Sequence, residues 1–135
     1  SRQRVRDILP ADDAEAYLKR RFAIVQTWRP IGHPVQSEPF AICDGRTIPE
    51  EGFVALQRRY SYRTAETYHI SFHPDHQWYY FPNMTPDEVV IFKVFDSDRS
   101  IGVPFTAHTA FDDPTTPPGA RQRESVESRA LVFFE

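Results

Sequence analysis

One histidine and two arginines near the end of the chain have the types and spacing best suited to chemistry. His108 lies in the run FTAHTAF at residues 105–111, which has the composition of a β-strand. Strand alternation predicts that Thr106, His108 and Ala110 share one face and that the bulky aromatic residues occupy the other. The imidazole is therefore predicted to face a polar surface of small residues. A metal ligand and a structural histidine both fit this position.

The next predicted strand begins with Arg123, 15 residues after His108. Alternation places Arg123, Ser125, Glu127 and Arg129 on one face of that strand. Arginines facing a barrel interior are costly unless an anion pairs with them. A dicarboxylate is a suitable partner, because a guanidinium group donates two parallel hydrogen bonds to a carboxylate and a nearby hydroxyl adds a third. The alternative is a solvated face whose arginines pair with neighbouring acidic side chains.

The combination of these two strands is more informative than either one. A histidine on one strand, followed by Arg-x-Ser at the start of the next, is typical of jelly-roll oxygenases that use Fe(II) and 2-oxoglutarate. Two histidines and one carboxylate hold the iron in such sites and leave positions free for cosubstrate and oxygen. This pattern predicts His108 as an iron ligand and Arg123 with Ser125 as the binding site for the distal carboxylate of 2-oxoglutarate. Arg129 is the alternative anchor.

Ordered motifs extend this likeness over nearly the whole chain. They are WRPI at 28–31, AICDGRT at 41–47, HQWYYFP at 76–82, Met84, DEVVIFK at 87–93, FDS at 95–97, HTAFDDP at 108–114 and RESVESR at 123–129. In these motifs the chain resembles the fungal family of gibberellin desaturases and aspergillic-acid hydroxylase/desaturases, and it is also similar to the bacterial cephalosporin methoxylase component. The resemblance implies hydroxylation or desaturation of a small secondary metabolite, with Fe(II) as cofactor and 2-oxoglutarate as cosubstrate.

The resemblance also implies a His-x-Asp pair that this sequence lacks. In the family the pair precedes the helical segment that here begins at Ser1. We therefore expect the chain to be the C-terminal portion of a longer oxygenase domain; the alternative is a catalytically inactive jelly-roll binding protein without a complete iron site. An internal substitute is conceivable in His73 and Asp75, which His76 follows, although His-Pro-Asp also has the composition of a turn.

The pattern of elements predicts a mainly β fold with a helical start. Residues 2–21 have the helical period and are divided by Pro10, so two short helices are expected. A short helix is expected at 47–51. Strands are predicted at 22–28, 39–44, 65–72, 77–81, 88–95, 105–111 and 124–134. This spacing favours a double-stranded β-helix of the cupin-like jelly-roll type, with residues 1–135 forming a single domain under an N-terminal helical cover.

Composition limits the classes of partner and the cellular compartment that we expect. The formal net charge is −3 and the basic residues are scattered, so no nucleic-acid partner is predicted. No apolar run approaches the roughly 20 residues needed to span a bilayer, and no membrane partner is expected. Cys43 is the only cysteine, which excludes an internal disulfide and favours the reducing cytoplasm. The expected partner is a small-molecule substrate, and the oligomeric state is left open.

Overall fold

Two short helices open the fold and meet at Pro10. The computed structural model describes residues 1–62 and 64–135. Helix α1 spans Arg2–Ile8 and helix α2 spans Ala11–Tyr17. Leu9 between them has an extended backbone, with φ −100° and ψ 153°. A residue before proline avoids the helical region because the proline ring would clash with it, so the break lies where the sequence predicts.

The helices cover one end of the first strand with their apolar sides. Val5, Ala14, Leu18 and Phe22 form a buried cluster, and Phe95 and Phe133 pack against it from two later strands. Within the described residues no helix is long and apolar enough to cross a membrane.

Eight strands follow in the described part of the chain. They are β1 Phe22–Pro30, β2 Phe40–Cys43, β3 Phe53–Arg59, β4 Thr64–Ile70, β5 Trp78–Tyr80, β6 Val90–Asp96, β7 His108–Ala110 and β8 Ser125–Phe133. All the pairings are antiparallel. One sheet has the order β6–β1–β8 and a second has the order β5–β2–β7, while β3 and β4 pair with each other as a hairpin.

The sequence did not predict strand β3, and the short helix that it predicts at 47–51 is wrong. Strand β3 pairs with β4 from Phe53 opposite Ile70 to Arg59 opposite Thr64, but all its residues after Phe53 are exposed. A strand with both faces in solvent has no need for apolar alternation, so it lacks the pattern by which strands are recognised. In place of the helix, two 3-10 turns span Gly45–Thr47 and Glu50–Gly52.

The two three-stranded sheets enclose an aromatic core. Along β1 the side chains of Gln26, Trp28 and Pro30 are buried, as period-two alternation requires for one inward face. The ring of Trp28 stacks on Phe40 of β2 with centroids 5.0 Å apart, and Phe40 contacts Phe92 of β6 at 5.3 Å. These contacts hold the two sheets together on the buried face of β1.

A buried carboxylate fastens the helical end to the first sheet. Asp96, at the end of β6, accepts two hydrogen bonds from Arg21, at 3.2 and 2.9 Å, and one from Lys93 at 3.3 Å. Its backbone partner is the amide of Asp98. Hydrogen bonding by Arg21 lowers the pKa of Asp96 to about 2 despite its burial. The anion is therefore favoured in the folded state.

We expect Asp96→Asn to lower the free energy of unfolding at pH 7 by about 2–3 kcal/mol, because charge-assisted hydrogen bonds are lost. Since folding lowers this pKa, the contribution is present above the ordinary Asp pKa of about 3.9 and is lost as the pH falls towards 2. Urea unfolding at pH 7 and pH 3 should show a smaller difference from wild type at pH 3. Asp87→Asn, at an exposed site, is the control; equal stability of both variants at pH 7 would contradict the assignment.

Candidate active site

His108 lies at the start of β7 and faces the aromatic core. Its ring is 4.9 Å from the Phe92 ring and 5.7 Å from the Phe40 ring, centroid to centroid. The predicted polar surface of small residues is therefore wrong. Alternation along its own strand could not predict this environment, because the rings that contact His108 come from β2 and β6.

A buried glutamine links His108 to Arg129. The side chain of Gln26 is fully buried, and its Nε2 lies 3.3 Å from Nε2 of His108. Its Oε1 accepts a hydrogen bond of 2.6 Å from Nε of Arg129. The register of the first sheet explains this contact, because Gln26 and Arg129 are directly opposite each other and their side chains project to the same face.

Burial favours the neutral form of the His108 imidazole. Desolvation lowers its pKa below the ordinary value; the carboxylate of Glu127 opposes this shift and the guanidinium of Arg129 adds to it. Nδ1 of His108 is buried and has no hydrogen-bond partner among the described residues. A neutral imidazole is the form that binds a metal ion, and the donor type at this position therefore fits an iron ligand.

Arg123 lies just before β8 and has spare hydrogen-bonding capacity. One Nη1 donates to the carbonyl oxygen of Glu38 at 2.9 Å, and the guanidinium lies 5.7 Å from the Trp28 ring. Its Nε is buried without a hydrogen-bond partner in the described part of the chain. A buried donor without a partner is costly, and an anion would satisfy it. The donor set therefore fits a carboxylate.

The ladder supports the predicted common face of β8. Ser125, Glu127 and Arg129 are opposite Pro30, Trp28 and Gln26, whose side chains are buried. The side chains of Glu127 and Arg129 themselves are 44% and 61% exposed, as the solvated alternative predicts. The solvated alternative predicts that the arginines pair with neighbouring acidic side chains. One such pair is present, between Arg129 and Glu127 at 3.9 Å.

A large open cavity contains His108 and Arg129 but not Arg123. Its volume is about 1140 Å³, and it lies between α1, the β3–β4 hairpin and the open end of the sheets. Phe105, Tyr68 and Leu131 contribute to its apolar wall. Ligand pockets usually measure roughly 300–1,000 Å³, so the space exceeds what one small molecule requires. The Arg123 guanidinium lies 5.7 Å from the Trp28 ring, Trp28 stacks on Phe40, and Phe40 contacts the His108 ring.

The internal substitute for the missing ligands lies elsewhere. His73, Asp75 and His76 line a separate cavity of about 660 Å³, together with residues 46–49. The backbone amide of Asp75 donates to Nδ1 of His73 at 3.3 Å, which is the local bond expected of a turn. In residues 1–62 and 64–135 there is no group of three or more His, Cys, Asp or Glu side chains that could hold a metal ion.

Gln26 is the residue of the site that sequence reasoning missed. It lies in the predicted strand 22–28, to which the sequence pattern assigns no functional residue. The signal was present, because Gln26 has the same parity as Trp28 and is thus a polar residue on an apolar strand face.

Comparison with known proteins identifies the family to which the chain belongs. The family model described as "Oxidoreductase/YMDC permease-like domain" matches residues 1–133, and the chain belongs to this family. Aspirochlorine biosynthesis protein N of Aspergillus oryzae is 39% identical over 137 residues, which cover 100% of this chain and 57% of that protein. The hydroxylase/desaturase asaB of Aspergillus flavus is 36% identical, covering 97% of this chain and 63% of that protein.

A solved structure matches the fold closely. The iron and alpha-ketoglutarate-dependent endoperoxidase NvfI superposes with a TM-score of 0.86 at 33% identity, covering 98% of this chain and 49% of that chain. The predicted double-stranded β-helix and the resemblance to hydroxylase/desaturases are thus confirmed. The chain spans about half the length of the relatives it matches.

The packing of His108 predicts an effect on stability. His108→Ala should lower the free energy of unfolding by about 2 kcal/mol, because it removes a ring from between Phe40 and Phe92 and leaves the Gln26 amide without its neighbour. Chemical denaturation followed by circular dichroism measures this. Thr109→Ala, at the exposed adjacent position, should change stability by no more than about 0.5 kcal/mol. A similar small change for His108→Ala would place its ring outside the core.

Proposed function

We propose that this chain is part of a non-haem Fe(II)/2-oxoglutarate-dependent oxygenase and that it supplies one iron ligand, His108. The observation that carries the proposal is the imidazole at the cavity, whose buried Nδ1 lacks a hydrogen-bond partner among the described residues. Two relatives support it by their names, one a hydroxylase/desaturase from Aspergillus flavus and the other an Fe(II)/2-oxoglutarate-dependent dioxygenase from Aspergillus novofumigatus.

The remaining iron ligands would come from outside residues 1–135. One imidazole does not make a stable iron site, and the described residues offer no suitable cluster. Relatives about twice as long have room for the additional ligands. When bound, iron with 2-oxoglutarate supplies the oxidant, and the contribution of this chain is to hold its ligand, bind the cosubstrate and exclude water. That residues 1–135 form a single domain stays a prediction.

For the cosubstrate we propose Arg123 as the anchor and Ser125 as a supporting hydroxyl. Arg123 keeps an unused buried Nε, whereas Nε of Arg129 is already bonded to Gln26. A carboxylate would therefore gain more from Arg123. Arg129 remains the alternative, since it shares the cavity with His108.

The proposed substrate is a small secondary metabolite that is hydroxylated or desaturated. The cavity of about 1140 Å³ beside His108 offers the space, and its wall combines aromatic and aliphatic side chains with charged ones such as Arg58 and Glu66. We propose a cytoplasmic location, for which the single, buried and unpaired Cys43 is the support. An inactive binding protein draws no support from relatives whose names describe hydroxylases, desaturases and dioxygenases.

The assignment of Arg123 as the anchor predicts which of three variants raises the KM for 2-oxoglutarate most. In the full-length oxygenase with all iron ligands, Arg123→Ala should raise the KM for 2-oxoglutarate at least 30-fold, since the loss of a buried charge-assisted pair costs about 2–5 kcal/mol. Ser125→Ala should cost about 1 kcal/mol, for one neutral donor. Steady-state succinate formation measures both. A large effect of Arg129→Ala together with a small effect of Arg123→Ala would move the anchor to Arg129.

The function itself predicts cosubstrate turnover. With Fe(II), 2-oxoglutarate and oxygen, the full-length protein should release succinate and CO2 slowly, and faster when a suitable small molecule is added. His108→Ala should abolish this, and His108→Gln should do the same while better preserving core volume. Circular dichroism at the assay temperature separates loss of the ligand from loss of the fold. A folded, iron-loaded protein that consumed no 2-oxoglutarate across a broad metabolite panel would favour the binding-protein alternative.

A further inference from the structure

Glu38 has a backbone conformation that glutamate rarely adopts. Its φ is 48°, in the left-handed region that favours glycine. Pro39 follows it, and a proline restricts the preceding residue towards extended conformations. Such sparsely populated conformations cost free energy and persist only where the surrounding structure enforces them. Glu38 is exposed, so burial of its side chain does not account for the conformation.

The chain is fixed on both sides of Glu38. Before it, Oγ of Ser37 donates to the carbonyl oxygen of Arg121 at 2.9 Å, and the amide of Arg121 donates to Oε1 of Gln36 at 2.9 Å. After it, Phe40 is buried in the aromatic core. A change of φ to a negative value would therefore disturb at least one of these contacts.

The carbonyl group of Glu38 is directed at Arg123. Its oxygen accepts a hydrogen bond of 2.9 Å from Nη1 of Arg123. Rotation about φ moves the carbonyl carbon and its oxygen, so the left-handed conformation decides where this acceptor lies. The bond uses Nη1, whereas Nε of the same guanidinium is buried without a partner among the described residues. The residue with the costly backbone thus contacts the arginine that has an unused donor.

We propose that Glu38 is a positioning residue, whose backbone carbonyl is placed by the left-handed conformation and holds the guanidinium of Arg123 ready for a carboxylate. A free arginine side chain has many rotamers, and a fixed acceptor at Nη1 restricts them before the anion binds. The Trp28 ring, 5.7 Å from the guanidinium, is a second fixed neighbour. The proposal rests on the proposed function in that it takes Arg123 as the anchor for 2-oxoglutarate.

Variants that differ in their tolerance of positive φ separate the backbone of Glu38 from its side chain. Glycine adopts this conformation freely, whereas a β-branched valine resists it. Glu38→Val should displace the carbonyl group, and Glu38→Gly should retain it, although both variants lack the carboxylate. Glu51→Val makes the same exchange at an exposed residue without positive φ and is the control.

The placement of Arg123 can be measured in the full-length protein without iron or cosubstrate. Nitrogen NMR detects the Nε–H group and its exchange with water, and the signal lost in Arg123→Lys assigns it. Wild type, Glu38→Gly and Glu51→Val should share one chemical shift and slow exchange, because this nitrogen is buried. Glu38→Val should shift the signal and speed its exchange.

A second variant covers the case that Glu38→Val does not fold. Ser37→Ala removes the hydrogen bond to Arg121 and so releases the chain on one side of Glu38. The signal of Arg123 should move in the same direction as in Glu38→Val, by a smaller amount. Circular dichroism checks the fold of each variant.

Equilibrium binding of 2-oxoglutarate measures the consequence for the ligand. Calorimetric titration of the iron-loaded full-length protein without oxygen requires no turnover. Glu38→Val should weaken binding about tenfold, which is the share that one hydrogen bond to a charged group supplies. Glu38→Gly and Glu51→Val should bind as wild type does.

Two results would overturn the proposal. If the Arg123 signal were unchanged in both Glu38→Val and Ser37→Ala, the left-handed conformation would serve only to turn the chain into β2. If Glu38→Gly lost as much affinity as Glu38→Val, the side chain and not the backbone would be responsible. Unchanged affinity in Arg123→Ala would count against the proposed anchor alone, because the NMR signal reports the contact between Glu38 and Arg123 without any ligand.

Discussion

The buried amide of Gln26 is the constraint on which the rest of the site depends. Strand β1 is the middle strand of its sheet, and the two partners of the amide come from different elements, Arg129 on β8 and His108 on β7 of the second sheet. A slip of one residue between β1 and β8 would turn Arg129 to the opposite face and leave a buried oxygen unpaired. The register of one sheet and its distance from the other are thus tied to one polar side chain.

Aromatic packing makes the candidate ligand part of the core. Trp28 stacks on Phe40, Phe40 stacks on His108, and Arg123 lies against Trp28. Closely packed interiors transmit a change at one side chain to its neighbours. The proposed iron ligand and the proposed cosubstrate anchor therefore contact the same group of rings. This arrangement couples the geometry of the site to the stability of the domain.

The sequence predicted what depends on local pattern and missed what depends on the contact between sheets. The break at Pro10, the strand around Trp28 and the common face of Ser125 and Arg129 follow from backbone chemistry and period-two alternation. The environment of His108 does not, because the rings that contact it, Phe40 and Phe92, lie on other strands. Strand β3 was not predicted because both its faces are exposed and it lacks apolar alternation.

Arg123 and Arg129 show why a motif alone could not assign roles. Arg123 and Arg129 have the same chemistry and the same strand parity, so sequence left either of them as the anchor. Their neighbours separate them. Arg129 is opposite a polar side chain that uses its Nε, while Arg123 is beside an indole ring, which accepts no conventional hydrogen bond and leaves Nε without a partner among the described residues. Gln26 and Trp28, two residues apart on β1, thus account for the difference.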